Sequence, residues 1–255
     1  MPNHVMNRLE FDCPQARLRE ILETICYDGN SEEAEVTGVG TIDFNKIVPM
    51  PPSLNIESGS RTIEGINLYL TSRNPDAPHF GSDKMSPDAF KDLVATVGSF
   101  YGYLRPNPCL SPEEIAQCTQ HTDVGVLLQL GKLAVENQLR YGATTWYEWR
   151  SNPRNWNTKW NSYYPGDYSG GREITFQTAW APPHPVIRKL SEMYPEVMIR
   201  HSWANEDLCA DAGELYYVNG EQVDGHIPVS EDETYRMSVR IWDYDIDETE
   251  GFDYE

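Results

Sequence analysis

A chain of 255 residues with 39% hydrophobic and 11% aromatic content can bury a sizeable core, which excludes an intrinsically disordered protein. Its 20 Lys and Arg face 40 Asp and Glu, a formal net charge of -20, which disfavours nucleic acid and anionic membrane as partners and favours basic protein surfaces. The five cysteines are scattered and form no C-x-x-C, so they read as reduced thiols of a cytoplasmic protein rather than as a zinc site.

Val5, Asn7, Leu9 and Phe11 alternate on one face of a predicted first strand, a start that also lacks the pattern of an export signal. Pro14 opens a helix whose apolar stripe is Leu18, Ile21, Leu22 and Ile25. Asp28 to Glu35 reads as an acidic turn, and Val36 to Phe44 as a strand ended by Pro49, Pro51 and Pro52. Further along, Ser86-Pro87 and Ser111-Pro112-Glu113-Glu114 are helix starts, the second with a capping box. Helix is expected from there to about Arg140, with Gly125 or Gly131 as points of interruption.

The second half is predicted as strand (Arg172 to Trp180), helix (Val186, Ile187, Leu190, Met193) and strand (Val197 to Trp203). A hairpin follows, Leu215 to Val218 and Gln222 to Ile227, joined across Asn219-Gly220. The fold class is therefore α+β: a ferredoxin-like split β-α-β sandwich with a helical insertion between its halves and a C-terminal hairpin and acidic extension. The expected divisions are 1–60 (first half), 61–145 (insertion), 146–228 (Trp-rich segment and second half) and 229–255 (acidic extension).

Four of the seven tryptophans, Trp146, Trp149, Trp156 and Trp160, lie within fifteen residues. Helical spacing would place Trp146 with Trp149 and Trp156 with Trp160. One reading is a rigid core plug. The other is a ligand pocket in which Trp149, Trp156 and Trp160 stack on a base or sugar while Lys159 holds an anion.

Several stretches resemble the YubB-type family of phage and conjugative-plasmid proteins. They are Met1-Pro2-Asn3-His4-Val5, the run Gly40 to Pro51, Asn155-Trp156-x-Thr158-Lys159-Trp160-Asn161, and Phe176-x-Thr178-Ala179-Trp180-x-Pro182-Pro183. The resemblance implies a ferredoxin-like C-terminal part and a mobile-element setting, and it implies no activity, cofactor or catalytic residue. Asn157 stands where the family pattern leads one to expect Gly.

No motif names a reaction. His4, His79, His121, His184, His201 and His226 never take metal-pair spacing, and neither a nucleophile elbow nor a phosphate-cradling loop occurs. No catalytic residue, metal or cofactor is expected.

The acid is regional: Trp203 to Glu255 holds sixteen carboxylates against Arg236 and Arg240, a net of -14. Glu206, Asp207, Asp211 and Glu214 cluster first. Then Ile241-Trp242-Asp243-Tyr244-Asp245-Ile246-Asp247 alternates, and an extended chain would align Asp243, Asp245 and Asp247 about 6.6–6.8 Å apart, roughly two nucleotide rises along a DNA strand. The leading expectation is a non-enzymatic module whose acidic face occupies a basic, nucleic-acid-binding surface of a host protein, such as a defence nuclease. The alternatives are an accessory or scaffold protein of mobile-element maintenance, or a small-ligand binder using the Trp-rich segment.

Overall fold

A computed structural model of the chain describes residues 3–29, 31, 34–73 and 122–244. In chain order the elements are β1 (His4–Asp12), α1 (Gln15–Ile25), α2 (Phe44–Ile47), α3 (Ser60–Arg73), α4 (Thr122–Tyr141), α5 (Trp146–Arg150), β2 (Glu173–Ala179), α6 (His184–Met193), β3 (Met198–Asn205), β4 (Ala212–Val218), β5 (Glu221–His226) and α7 (Glu231–Trp242). The helix starts expected at Ser86 and Ser111 lie outside the described residues, as do Asp245 and Asp247. The chain divides into two compact units, Met1–Pro49 with Arg150–Glu255, and Met50–Trp149.

The first unit is built on a five-stranded sheet in the order β2-β1-β3-β4-β5, with every pairing antiparallel. β1 lies between β2 and β3, so β2-α6-β3 is a split β-α-β unit, and the fold is α+β and ferredoxin-like. The period-two pattern holds along β1: Val5, Asn7, Leu9 and Phe11 are buried, while the intervening residues are half-buried. On that face lie Ile174 and Phe176 of β2 and Ile199, His201 and Trp203 of β3. The apolar stripes of α1 and of α6 are buried as well.

The opposite face carries Met6, Arg8, Glu10, Arg200, Ser202 and Ala204. Helix α7 covers part of it through a small core of Met237 and Ile241 against Ala204 and Ala212, with Met6 and Trp242 packed alongside. Arg8 Nε donates to the Ile241 carbonyl at 2.6 Å, fixing the last turn of the helix.

The strand expected over Val36 to Phe44 does not form. Gly38 (φ 94) and Gly40 (φ 105) are left-handed, and Val36 and Val39 are exposed. Asp43 instead caps α2 by accepting from the Asn45 amide at 2.9 Å. β4 occupies the sheet position beyond β3, reached by a hairpin. The second hairpin turn matches its reading, with Asn219 (φ 50) and Gly220 (φ 75) both left-handed.

Trp156 and Trp160 do not share a helical face, because the chain from Ser151 to Trp160 runs in turns and bends. Asn157 is the reason: it sits at φ 62, where Asn is tolerated, and its Nδ2 donates to the Pro182 carbonyl at 2.9 Å. The extended chain expected from Ile241 is also corrected. Ile241 and Trp242 end α7, Asp243 is its left-handed C-cap (φ 59), and the Tyr244 amide returns to the Val239 carbonyl at 3.1 Å.

In the second unit α3 packs on α4, which is unbroken at Gly125 and Gly131. Asn137 of α4 fastens the turn at Pro52–Leu54, with Nδ2 donating to the Ser53 carbonyl at 2.8 Å and Oδ1 accepting from the Ser53 hydroxyl at 2.7 Å.

Candidate functional site

The register of the sheet brings one end of four strands together. His4 at the start of β1 pairs with Ala179 at the end of β2, Val5 with Asn205 at the end of β3, and Ala204 with Ala212 at the start of β4. The segments leaving these strands are tied to one another: Trp180 N–H donates to the Asn3 carbonyl, Glu206 N–H to the His4 carbonyl and Asn205 N–H to the Asp211 carbonyl, each at 2.8 Å. Trp242 joins them by donating its Nε1–H to the Asn205 carbonyl at 3.0 Å.

Exposed carboxylates and exposed aromatics both collect at this end. Glu206, Asp207, Asp211 and Asp243 are exposed. The β3–β4 loop that carries three of them is braced from within, since Asp207 N–H donates to Asn205 Oδ1 at 3.0 Å and Trp203 Nε1–H to Asp211 Oδ1 at 3.3 Å. Around them Trp180 is 44% exposed, Tyr164 63% and Tyr244 52%. Tyr244 stacks on Trp242 with ring centroids 5.9 Å apart. Lys159 Nζ lies between two indoles, 4.9 Å from the Trp160 ring and 5.0 Å from the Trp180 ring.

Two of these aromatics are held in backbone conformations that bulky residues rarely take, Trp180 at φ 72 and Tyr164 at φ 46. Such conformations cost on the order of 1–3 kcal/mol and persist only where the surroundings over-determine them. Tyr163 lies beneath, sharing a 2.8 Å hydrogen bond with His4 Nδ1 and edge contacts with Trp160 and Tyr164. Burial, then the nearby Glu206 carboxylate, pushes its phenol well above the ordinary range, so it stays neutral.

The other predicted site residues lie elsewhere. Glu214 is on the α7 face, its side chain only 12% exposed. Arg200 Nη2 donates to it at 2.6 Å, Ser202 Oγ at 3.1 Å and the Tyr216 hydroxyl at 2.7 Å. Burial pushes this carboxyl up, but the hydrogen bonds from Tyr216, Arg200 and Ser202 outweigh it and hold it below its ordinary value. Its charge is used internally.

Trp156 is fully buried, donating Nε1–H to the Val48 carbonyl at 2.8 Å, with Phe44 edge-on at 5.6 Å and the Arg150 guanidinium 4.6 Å over its ring. Trp149 is buried in the second unit. Of the four residues expected to form a ligand pocket, Lys159 and Trp160 are at the sheet end and Trp149 and Trp156 are not. Sequence reasoning missed His4, Tyr163, Tyr164, Trp180, Trp242 and Tyr244. The one signal available for Trp180 was a large aromatic placed directly after an alternating strand and before Pro182-Pro183.

Among the described residues no group of three His, Cys, Asp or Glu is placed to hold a metal ion, and no helix is long and apolar enough to cross a membrane.

Residues 155–252 match a family model described as the ferredoxin-like domain in Api92-like protein. The matched segment runs from the Trp156 turn through β2 and α6 to α7, within the C-terminal part of the first unit. Among solved structures, the crystal structure of a protein api92 from Yersinia pseudotuberculosis is 14% identical. That alignment covers 90% of this chain and 99% of that one, with a TM-score of 0.36. No curated protein matches.

Proposed function

We propose that the protein is a non-enzymatic binding module of a phage or conjugative plasmid. Its acidic sheet end would occupy a basic, nucleic-acid-binding surface on a host protein, a nuclease of a defence system being the natural class. The observation that carries this reading is that exposed Glu206, Asp207, Asp211 and Asp243 share one end of the sheet with exposed Trp180, Tyr164 and Tyr244. Carboxylates of one sign steer a basic partner and set specificity, while exposed Trp and Tyr on a rigid frame supply the apolar anchors on which binding energy concentrates. The mobile-element setting rests on the resemblance of the motifs around Gly40, Trp156 and Phe176 to the YubB-type family.

The test is capture of partners from host lysate by the full chain, compared with a variant carrying E206Q, D207N, D211N and D243N. A partner that duplex DNA competes away, that the neutralised variant fails to hold and that high salt releases supports the reading. Retention of the same partner by the neutralised variant at high salt sinks it and favours the scaffold alternative. Trp180→Ala separates the aromatic contribution: a loss of about tenfold or more in affinity marks it as an anchor.

A further inference from the structure

In a chain with twice as many carboxylates as cations, a cation without a carboxylate partner calls for a reason. Most described cations of the first unit have one: Arg17 and Arg19 on α1, Arg172, Arg200 and Arg236 are all ion-paired. Arg154 and Arg188 pair with no carboxylate among the described residues, and both line the same groove.

The groove has a volume of about 850 Å³, within the range of small-molecule sites. It runs along α6 and passes the turn between β4 and β5. Arg188 is fixed over it by donating Nε–H to the Gly220 carbonyl at 2.6 Å, which leaves its two terminal amino groups free to face a ligand. Lys189 is on the rim with its ammonium 2.8 Å from Glu192, so that carboxylate is already taken, and Glu221 is the remaining acid of the lining.

Pro153, Pro185 and the ring of His184 give the walls an apolar character. His184 packs edge-on against Trp203 at 4.5 Å, and its Nδ1 is buried without a hydrogen-bond partner. The remaining negative charge of the molecule does not close the groove to anions. At physiological ionic strength, charges beyond about 8–10 Å are largely screened and the adjacent guanidinium groups dominate.

We propose that this groove binds a small phosphorylated organic molecule, with Arg154 and Arg188 on the phosphate and the organic body against Pro153, Pro185 and His184. Two guanidinium forks suit the several oxygens of a phosphate better than a single carboxylate does. The volume exceeds what a bare phosphate fills. The groove lining includes none of the sheet-end carboxylates, although His184 packs on Trp203, whose indole donates to Asp211 Oδ1.

The experiment is calorimetric titration of the full chain with adenosine 5′-monophosphate, inorganic pyrophosphate and adenosine. Saturable binding of the monophosphate with none of adenosine is the expected result. Arg154→Ala and Arg188→Lys should each weaken it about tenfold and Arg154→Glu should abolish it. Both side chains are exposed, and an unchanged circular dichroism melt confirms that each variant is folded. The paired controls Arg17→Ala and Arg19→Ala, and a sheet-end variant carrying E206Q, D207N and D243N, should bind as the parent does. Equal binding of adenosine, unchanged binding by Arg154→Glu, or no saturation at millimolar ligand overturns the proposal. Binding of pyrophosphate without the monophosphate overturns the organic body.

Discussion

His184 and His201 put two imidazoles beside Trp203 in the interior of the first unit, a composition that ties stability to pH. His201 is fully buried, with Nε2 and Asn7 Oδ1 3.0 Å apart, and Asn7 is itself anchored by donating to the Val5 carbonyl and to Thr178 Oγ1, each at 2.9 Å. Burial pushes His184 down to about 4, against a smaller opposing pull from Asp211, and burial pushes His201 well below its ordinary value. Both are neutral in the folded chain, while in the unfolded chain they take up a proton near 6.5. The unfolded state therefore binds more protons as the pH falls. Stability is full above about pH 6.5 and declines toward about pH 4. Between about pH 7 and about pH 5, His184 alone should cost on the order of 2 kcal/mol. Urea midpoints across that range measure it, and a His184→Gln variant should show a shallower slope. A midpoint that does not move would refute the neutral pair. Glu196, Glu214 and Glu233, all held below their ordinary values, act in a lower window, below about 4.5.

At the level of elements, Gly131 does the opposite of what its reading as a helix breaker predicts. Gly131 does not interrupt α4. It lets the helix backbone meet α3 at Gly65, where a Cβ on Gly65 would lie 2.6 Å from the Leu127 carbonyl and a Cβ on Gly131 would fall on the Gly65 backbone. Ala is the better helix former by about 1 kcal/mol, but overpacking costs about 1–3 kcal/mol, and here the obstacle is backbone that cannot swing aside. Gly131→Ala should therefore lower the thermal midpoint of the chain, read by circular dichroism at the helix band, and a raised midpoint would show that the helices separate freely. The same elements show what was legible. β1, α1, β2, α6, β3 and the hairpin follow from periods of two and 3.6 and from Asn219-Gly220, because those patterns record which side of a chain is dry. α2 was hidden because Gly38, Gly40 and Asp43 act through backbone angles and a cap. α7 did carry a readable start, Ser230 accepting from the Glu233 amide at 3.3 Å, the same Ser-x-x-Glu signature recognised at Ser111. The carboxylates of the sheet end were visible in the sequence. That Glu214 is spent on Arg200 while Glu206 and Asp207 are not depends on Glu214 lying in β4 beside Arg200 and the other two on the β3–β4 loop, and composition does not carry that.

For the molecule as a whole, a net charge of -20 sets self-repulsion against ion pairs that are mostly exposed. Exposed pairs contribute about 0–1 kcal/mol each, so added salt relieves more repulsion than it removes attraction. The thermal midpoint should rise as salt is raised from low to physiological concentration, measured by differential scanning fluorimetry. A falling midpoint would show that the cross-strand network of Glu10, Arg200 and Glu214 outweighs the net charge.

The central place of β1 has a consequence in time. Val5 pairs with Thr178 on one side and Asn205 on the other, so once synthesised it waits for more than 170 further residues before either partner exists. At roughly 5–20 residues per second, that is a delay on the order of ten seconds or more. Through it β1, with its apolar face of Val5, Leu9 and Phe11, lacks both partner strands and must be kept from pairing with another nascent chain. How fast the protein is translated should therefore bear on how much of it folds.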